Sequence, residues 1–455
     1  MLPVDLSRSE PRRRIESANR VVVERGREIA AEDGPLSRGA HSPSRPSWIA
    51  NRTPLMLIAD RTPLMPEQNH DRQMFVSLVA VLLGFGVLMV HSASVTSRPT
   101  EFEQVYLSRH LTWLGVGLVA ALVASRIPPE GWRRLAPWLF LATGILLVAV
   151  LLPGIGVRVK GAQRWFRVAG FSLQPSELAK VTLPLFLAAL LYHRRHVLNS
   201  WTRGLIQPAW PIAALTGLVL LEPDLGAGVF LALVGAIALL VGGWPIRNFV
   251  LAAAPVVAVF AAVVVHKPYQ LERLRGFAAT WVDWRAAPYQ LKQSLVTLGV
   301  GGVTGTGLGR GFQKLSFLPE KNTDFVFAVI GEELGLVGTL SVLGLWTAVY
   351  ICGWRMLQPL PRGSFRFIAG FALLSQLMLQ VVLNIAVVTA MAPPKGIALP
   401  LLSYGGSSLV ASLLAIGIFC SLTSPPSTNA VATDLDTAVD SEDHSRGFVH
   451  SRSAT

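Results

Sequence analysis

The chain has 455 residues, 51% of them hydrophobic and only 15% charged, where soluble domains carry roughly 25% charged residues. With a mean hydropathy of +0.48 it has too few charges to clothe a soluble surface, and disorder, collagen and a disulfide-stapled secreted scaffold are excluded for its bulk; it reads as an all-α polytopic membrane protein. Lys and Arg outnumber Asp and Glu by 40 to 27, a net charge of +13, which in such a protein points to basic loops facing anionic lipid or an anionic substrate, not to nucleic acid.

Residues 1–72 mix Arg12, Arg13 and Arg14 with Glu24, Glu28 and Glu32, scatter Pro and Ser, and repeat RTPLM at Arg52–Met56 and Arg61–Met65. They read as a disordered cytoplasmic extension with room for a short helix within Ile15–Ala31. No secretory signal peptide is expected. Residues 73–423 read as one transmembrane domain of about ten apolar stretches near the ~20 residues that cross a bilayer as a helix. They lie at about 74–95, 106–126, 133–153, 176–193, 207–221, 225–243, 247–266, 324–353, 365–391 and 398–422, within the usual boundary error. Residues 424–455, rich in Ser, Thr and Asp, read as a second disordered tail. Cys352 and Cys420 both fall in apolar runs, so no disulfide framework is expected.

Short loops carrying Arg126, Arg133, Arg134, Arg194, Arg195, Arg203, Arg247, Arg355, Arg362 and Arg366 fall on one side, which the positive-inside rule makes cytoplasmic, with both termini. The loops at 96–105, 154–175, 222–224, 267–323 and 392–397 then face outward. Two of these are also basic: Arg158, Lys160, Arg164 and Arg167 in one, Lys267, Arg273, Arg275, Arg285, Lys292, Arg310, Lys314 and Lys321 in the other. Long loops escape the charge rule, yet positive charge there needs a reason.

Loops much longer than ~12–15 residues are usually functional or disordered. The one between the seventh and eighth stretches, 267–323, holds Trp281, Trp284, Tyr289, Phe312 and Phe317 and a glycine-dense run from Gly299 to Gly311, and Tyr289–Leu298 has helical character. No nucleotide-binding P-loop, zinc spacing or serine-hydrolase elbow is present. Acids are few. Glu332 and Glu333, deep in the eighth stretch, either pair with a buried Arg or Lys or line a path; Asp324 suits the helix start that follows it. Glu222 and Asp224 flank Pro223 and either bind a cation with a phosphate behind it or satisfy a broken helix end. Asp283, between Trp281 and Trp284, has no obvious capping role. Around Pro393, Pro394, Gly396, Pro400, Gly405 and Gly406 the backbone is broken at membrane depth, which is tolerated beside a polar cavity.

Five blocks carry a resemblance. Gly86–Ser94 reads GVLMVHSAS, Val157–Lys180 reads VRVKGAQRWFRVAGFSLQPSELAK, Glu222–Gly228 reads EPDLGAG, Leu318–Gly338 reads LPEKNTDFVFAVIGEELGLVG and Lys395–Leu409 reads KGIALPLLSYGGSSL. In this order and spacing they resemble the SEDS proteins, the FtsW/RodA/SpoVE family of bacterial peptidoglycan polymerases, over about residues 74–422. Gly331-Glu332-Glu333 and Pro394-Lys395-Gly396 look most like the forms of the division member.

The resemblance implies a ten-helix glycosyltransferase in the bacterial inner membrane, at the division septum, that polymerises lipid II at the outer face and expels undecaprenyl pyrophosphate. It also implies a class B penicillin-binding transpeptidase and other division proteins as partners. The family's essential acid precedes a Tyr-Gln motif in the large loop; here that is Asp283, before Tyr289-Gln290, although Trp284 and Arg285 stand where relatives carry Pro and a Gly-rich step. Transfer from a diphosphate needs a base for the attacking hydroxyl and cations for the diphosphate. Lys160, Arg164, Arg273, Arg285 and Lys395 are the candidate cations, with Glu222, Asp224, Gln290, Ser403 and Tyr404 as further substrate contacts. Whether a divalent cation, Mg or Mn, shares the diphosphate through Glu222, Asp224 or Asp283 stays open. A lipid-linked precursor flippase and a non-catalytic division scaffold are the competing readings.

Overall fold

A run of apolar residues in hydrocarbon must satisfy its own backbone, and a helix does so within one segment. The computed structural model describes residues 66–94, 101–159, 162–168, 171–195, 198, 200–313, 318–319 and 322–425. In chain order its elements are α1 (Pro66–Ser94), α2 (Glu101–Arg126), α3 (Pro129–Leu151), β1 (Val157–Val159), β2 (Ala162–Val168), β3 (Phe171–Leu173), α4 (Pro175–His193), α5 (Arg203–Leu221), α6 (Leu225–Val241), α7 (Ile246–His266), α8 (Pro268–Val282), a 3₁₀ turn (Trp284–Ala286), α9 (Tyr289–Gly301), α10 (Val326–Leu357), α11 (Phe365–Val388) and α12 (Gly406–Leu422). Eight are long and apolar enough to cross a membrane; α6 and α12, at 17 residues each, are shorter apolar helices. The ten expected stretches all contain a helix.

Boundaries moved for identifiable reasons. Helix α1 opens at Pro66, inside the segment read as an extension, because Pro is well suited to the first turn. Helix α12 starts at Gly406, eight residues later than expected: the chain before it turns through Leu401 at φ 62°, outside the helical region. The repeats at Arg52–Met56 and Arg61–Met65, the Ile15–Ala31 segment and the tail from residue 426 lie outside the described residues.

The core is organised around α4 and α11, the most buried of the spans. One apolar cluster joins α1, α10, α11 and α12 through Phe75, Met89, Trp346 and Phe419. The other joins α3, α4, α5, α6 and α11 through Leu147, Leu187, Leu215 and Leu239. Helix α7 buries only Asn248 among its described residues.

Two of the loops hold structure beyond what the hydropathy reading expected. Residues 157–173 form a three-stranded antiparallel sheet, order β1-β2-β3, in which Arg158 pairs with Gln163 and Phe166 with Leu173. The 267–323 loop carries α8, an amphipathic helix that follows α7 after a break at Lys267, and then α9, which runs slightly beyond the expected Tyr289–Leu298.

Helix α10 is broken at Gly335, whose φ of 66° and ψ of −160° are non-helical. The break frees backbone groups that the glycine-rich run then satisfies. Thr306 N donates to Glu332 O at 2.9 Å, Gly307 N to Glu333 O at 3.0 Å, Leu336 N to Gly302 O at 2.9 Å and Val337 N to Val303 O at 3.2 Å. Gly305 sits in this lattice at φ +79°, with any Cβ driven into the Glu333 carbonyl. Gly305→Ala is therefore expected to destabilise by about 1–3 kcal/mol from backbone conformation alone, with the clash added. Thermal unfolding of the purified protein in detergent measures this; an unchanged midpoint would contradict the lattice.

Candidate active site

The sheet, the α5–α6 link, α8 and the segment before α12 meet at one end of the bundle. Arg164, on β2, ties the sheet to the α5–α6 link. Its Nε donates to Glu222 O at 2.9 Å, its Nη2 to Pro223 O at 2.6 Å, and its Nη1 pairs with Asp224 Oδ2 at 3.1 Å. Asp224 Oδ1 also accepts from Ala227 N at 3.0 Å and so caps α6. A carboxylate there meets the positive end of the helix dipole. Of the two readings open for this link, satisfaction of the broken helix end is the one Asp224 performs.

Lys395 lies across the first turn of α6: a Cβ on Gly226 would be 3.3 Å from its Cδ. Burial lowers its ammonium pKa, Asp224 opposes that, and Arg273 adds to it. Arg273 on α8 holds its guanidinium 4.6 Å from the centre of the Tyr269 ring and donates to Pro394 O at 3.3 Å. Three cations thus share one corner with two acids.

Glu222 is the odd member. It is fully buried, and neither carboxyl oxygen has a hydrogen-bond partner. Burial, reinforced by Asp224 and opposed by Arg164, pushes its pKa up to about 8. At neutral pH it is mostly protonated, so the corner carries the charge of its three cations against Asp224 alone. The folded state binds a proton that the unfolded state releases between about pH 4.5 and 8, so this group's contribution to stability is full below its unfolded pKa and is lost as pH rises through the folded value. Glu222→Gln, which keeps the shape without the titration, is expected to flatten that part of the melting-temperature profile and to raise the midpoint at pH 8.5 relative to the parent. Parallel profiles for the two proteins would contradict a buried neutral Glu222.

The start of α4 holds an ion pair close to α6. Glu177 and Lys180, in the first turn of α4, form an ion pair at 2.7 Å with side-chain exposures of 13% and 6%, and Lys180 Nζ sits 5.1 Å from the Phe230 ring centre. The signal was present: two opposite charges three residues apart in an otherwise apolar span.

Asp283 is elsewhere on the same segment. It is exposed, at the junction of α8 and the 3₁₀ turn, and its Oδ1 accepts from Arg285 N at 2.9 Å. It does cap a turn, contrary to the sequence reading. Arg285 is also exposed, and Lys292 Nζ lies 5.9 Å from the Trp284 ring centre. No described hydrogen bond or ion pair joins Asp283 or Arg285 to the Arg164 corner. The segment is anchored through α9, where Ser294 donates to Val388 O at 2.7 Å and Leu291 packs with Ala287 and Ala390. Gln290, at the start of α9, is half-buried.

The remaining candidates are distributed. Ser403 is buried and accepts from Leu399 N at 2.8 Å, closing the turn before α12. Tyr404 donates its N–H to Asn322 O at 2.8 Å, its ring 6.1 Å from that of His110. Lys160, Lys314 and Lys321 lie outside the described residues. Glu332 Oε1 accepts from Phe312 N at 2.6 Å and Gln313 N at 2.7 Å, and Glu333 accepts from Ser92 Oγ at 2.7 Å. Their described partners are backbone amides and a hydroxyl where an Arg or Lys was one expected partner. Asp324 stands before the Phe325 that borders α10, and a Cβ on Gly396 would lie 3.0 Å from its Oδ2. Among the described residues no three His, Cys, Asp or Glu side chains group as they would to hold a metal ion.

The profile of the FtsW/RodA/SpoVE family, described as "Cell cycle protein", matches residues 72–426. A "Probable peptidoglycan glycosyltransferase FtsW" of Trichlorobacter lovleyi is 40% identical over 349 residues, which is 76% of this chain and 91% of that protein. "Stage V sporulation protein E" of Bacillus subtilis is 34% identical over 347 residues, 76% and 94% of the two chains. Among solved structures, a chain from "Structural coordination of polymerization and crosslinking by a peptidoglycan synthase complex" superposes with a TM-score of 0.63 at 30% identity, covering 77% of this chain and 96% of that one. The rod shape determining protein RodA of Thermus thermophilus gives a TM-score of 0.57 at 28% identity, covering 77% and 95%.

Proposed function

The chain belongs to the FtsW/RodA/SpoVE family, and from that premise we propose that it is an inverting peptidoglycan glycosyltransferase. It polymerises lipid II into β-1,4 glycan strands at the outer face of the cytoplasmic membrane, for septal wall synthesis, beside a class B penicillin-binding transpeptidase. The observation that carries the reading is the corner of Arg164, Arg273 and Lys395 around a buried Glu222. Such a corner attracts a diphosphate, and its donors are fixed before the ligand arrives.

In the reaction Asp283 takes the proton of the sugar 4-hydroxyl. The hydroxyl oxygen attacks C1 of the growing glycan, the C1–O bond to diphosphate breaks, and undecaprenyl pyrophosphate leaves with the electron pair. From Arg273 to Asp283 the chain runs ten residues, roughly 15 Å of helix. That separation suits a lipid II molecule whose diphosphate rests on the corner and whose far sugar reaches the acid. Arg285, beside Asp283, then faces the departing diphosphate. The arginines of the opposite end, among them Arg133, Arg194, Arg247 and Arg355, support a cytoplasmic reading of that end by the charge rule.

The test uses the purified full chain with its transpeptidase partner and fluorescent lipid II. The expected product is a ladder of glycan strands that a muramidase digests. No polymer from a folded complex would overturn the reading, and transbilayer movement of lipid II without polymer would replace it with a transporter.

A further inference from the structure

A groove follows α3 along the bundle, walled by α4 at the arginine-rich end and by α5 further along. At the arginine-rich end it opens into a cavity of about 560 Å³ lined by Arg133, Pro137, Phe186, His193 and Arg194 among others. Further along α3 and α5 a second cavity of about 440 Å³ has an apolar lining that includes Phe140, Gly144, Val148, Leu215 and Leu218. Phe140 stacks on Phe186 at 4.3 Å and meets Trp210 edge-on at 5.5 Å, so an aromatic waist separates the two.

We propose that this groove binds one anionic glycerophospholipid from the leaflet at the arginine-rich end. Its phosphate rests on Arg133 and Arg194, and one acyl chain follows α3 past the aromatic waist. The two cations are held in place. Arg133, 24% exposed, pairs with Glu130, stands 5.1 Å from the Tyr192 ring centre and lies 3.4 Å from His193 Nε2. Arg194 Nη1 donates to Gln207 Oε1 at 2.8 Å. Neither contact uses up the guanidinium's five donors.

Charge and length both select the occupant. Arg133 and Arg134 both pair with Glu130, Arg194 lines the same cavity as Arg133, and basic pockets between spans are where acidic headgroups are captured. Pro137 has no N–H to donate to the Arg133 carbonyl one turn earlier, which leaves an acceptor beside the headgroup for a glycerol hydroxyl. From Arg133 to Gly144 the helix rises roughly 16 Å, about one leaflet of a ~30 Å hydrocarbon core. A free anion would fill the mouth and leave the apolar stretch empty; a neutral lipid would fill the stretch and leave the cations unmatched.

Full-length protein stripped of lipid in mild detergent is titrated with phosphatidylglycerol or phosphatidylcholine and read by native mass spectrometry. Phosphatidylglycerol is expected to persist as a one-to-one adduct under activation that removes phosphatidylcholine. Arg133→Gln with Arg194→Gln is expected to weaken it about thirtyfold, at about 1 kcal/mol per cation, with phosphatidylcholine unaffected. Gly144→Leu projects into open groove, since no atom lies within 4 Å of its Cβ position; it is expected to weaken the adduct without lowering the melting temperature, and it decides the matter if the double variant does not fold. Equal retention of the two lipids, or an adduct indifferent to the variants, would overturn the proposal. So would inorganic phosphate that stabilises the protein as well as the lipid does.

Discussion

Asp283→Asn is expected to abolish glycan synthesis, with a fall of about 10²–10⁴ in turnover, the usual contribution of a positioned general base. The amide cannot take the hydroxyl proton, but it keeps an oxygen that can accept from Arg285 N. Melting temperature is therefore expected to stay within about a degree, because an exposed hydrogen bond contributes little to stability. Lipid II binding is expected to persist too, since no described contact ties Asp283 to the cationic corner. Glycan gels and a lipid II binding assay on the same preparation check the split. Full turnover in this variant would move the base elsewhere on the protein and leave the family assignment untouched.

Arg164→Ala is expected to fail on both counts. The side chain makes three described bonds to Glu222, Pro223 and Asp224, two of them to carbonyls at a helix end where no other described donor reaches. Removing one partner of a buried, hydrogen-bonded ion pair costs about 3–5 kcal/mol; with Arg164 27% and Asp224 16% exposed, water repays part of that, so a loss of about 2–3 kcal/mol is expected. The sheet and the α5–α6 link then lose their tie, and the corner loses a third of its positive charge. Arg164→Lys should restore the charge and not the stability, because an ammonium on a flexible stem does not reproduce the planar fork. Calorimetry separates the two variants by melting temperature, and lipid II binding separates charge from geometry. A fully stable Arg164→Lys would contradict the bracket.

The spans were legible because hydrocarbon leaves a chain so few choices: length and apolar content located all ten helices. What hydropathy could not read was structure in basic loops. In Val157–Val168 the order VRV, then AQRWFRV, alternates in the way a strand requires, but the four cationic residues dominate a hydropathy scale and hide it. Helix α8 was missed for the related reason that Pro268–Val282 is amphipathic and not apolar. The corner was half-legible. Arg164, Arg273, Lys395, Glu222 and Asp224 were each nominated, yet only the fold brings residues from four separate segments to one place. Glu332 defeats sequence reasoning in another way: its described partners are the amides of Phe312 and Gln313, and a peptide N–H leaves no mark in residue identity. Asp283 was nominated through the family resemblance, by its distance from Tyr289-Gln290, and not by any feature of its surroundings.

The lattice at Gly335 has a consequence for how opening would spread. Thr306, Gly307, Leu336 and Val337 donate across one seam, so none of these protons can swap with solvent deuterium until the neighbouring rungs have parted. Loop and spanning helix there form a single cooperative unit, and a tug at either edge is felt by both.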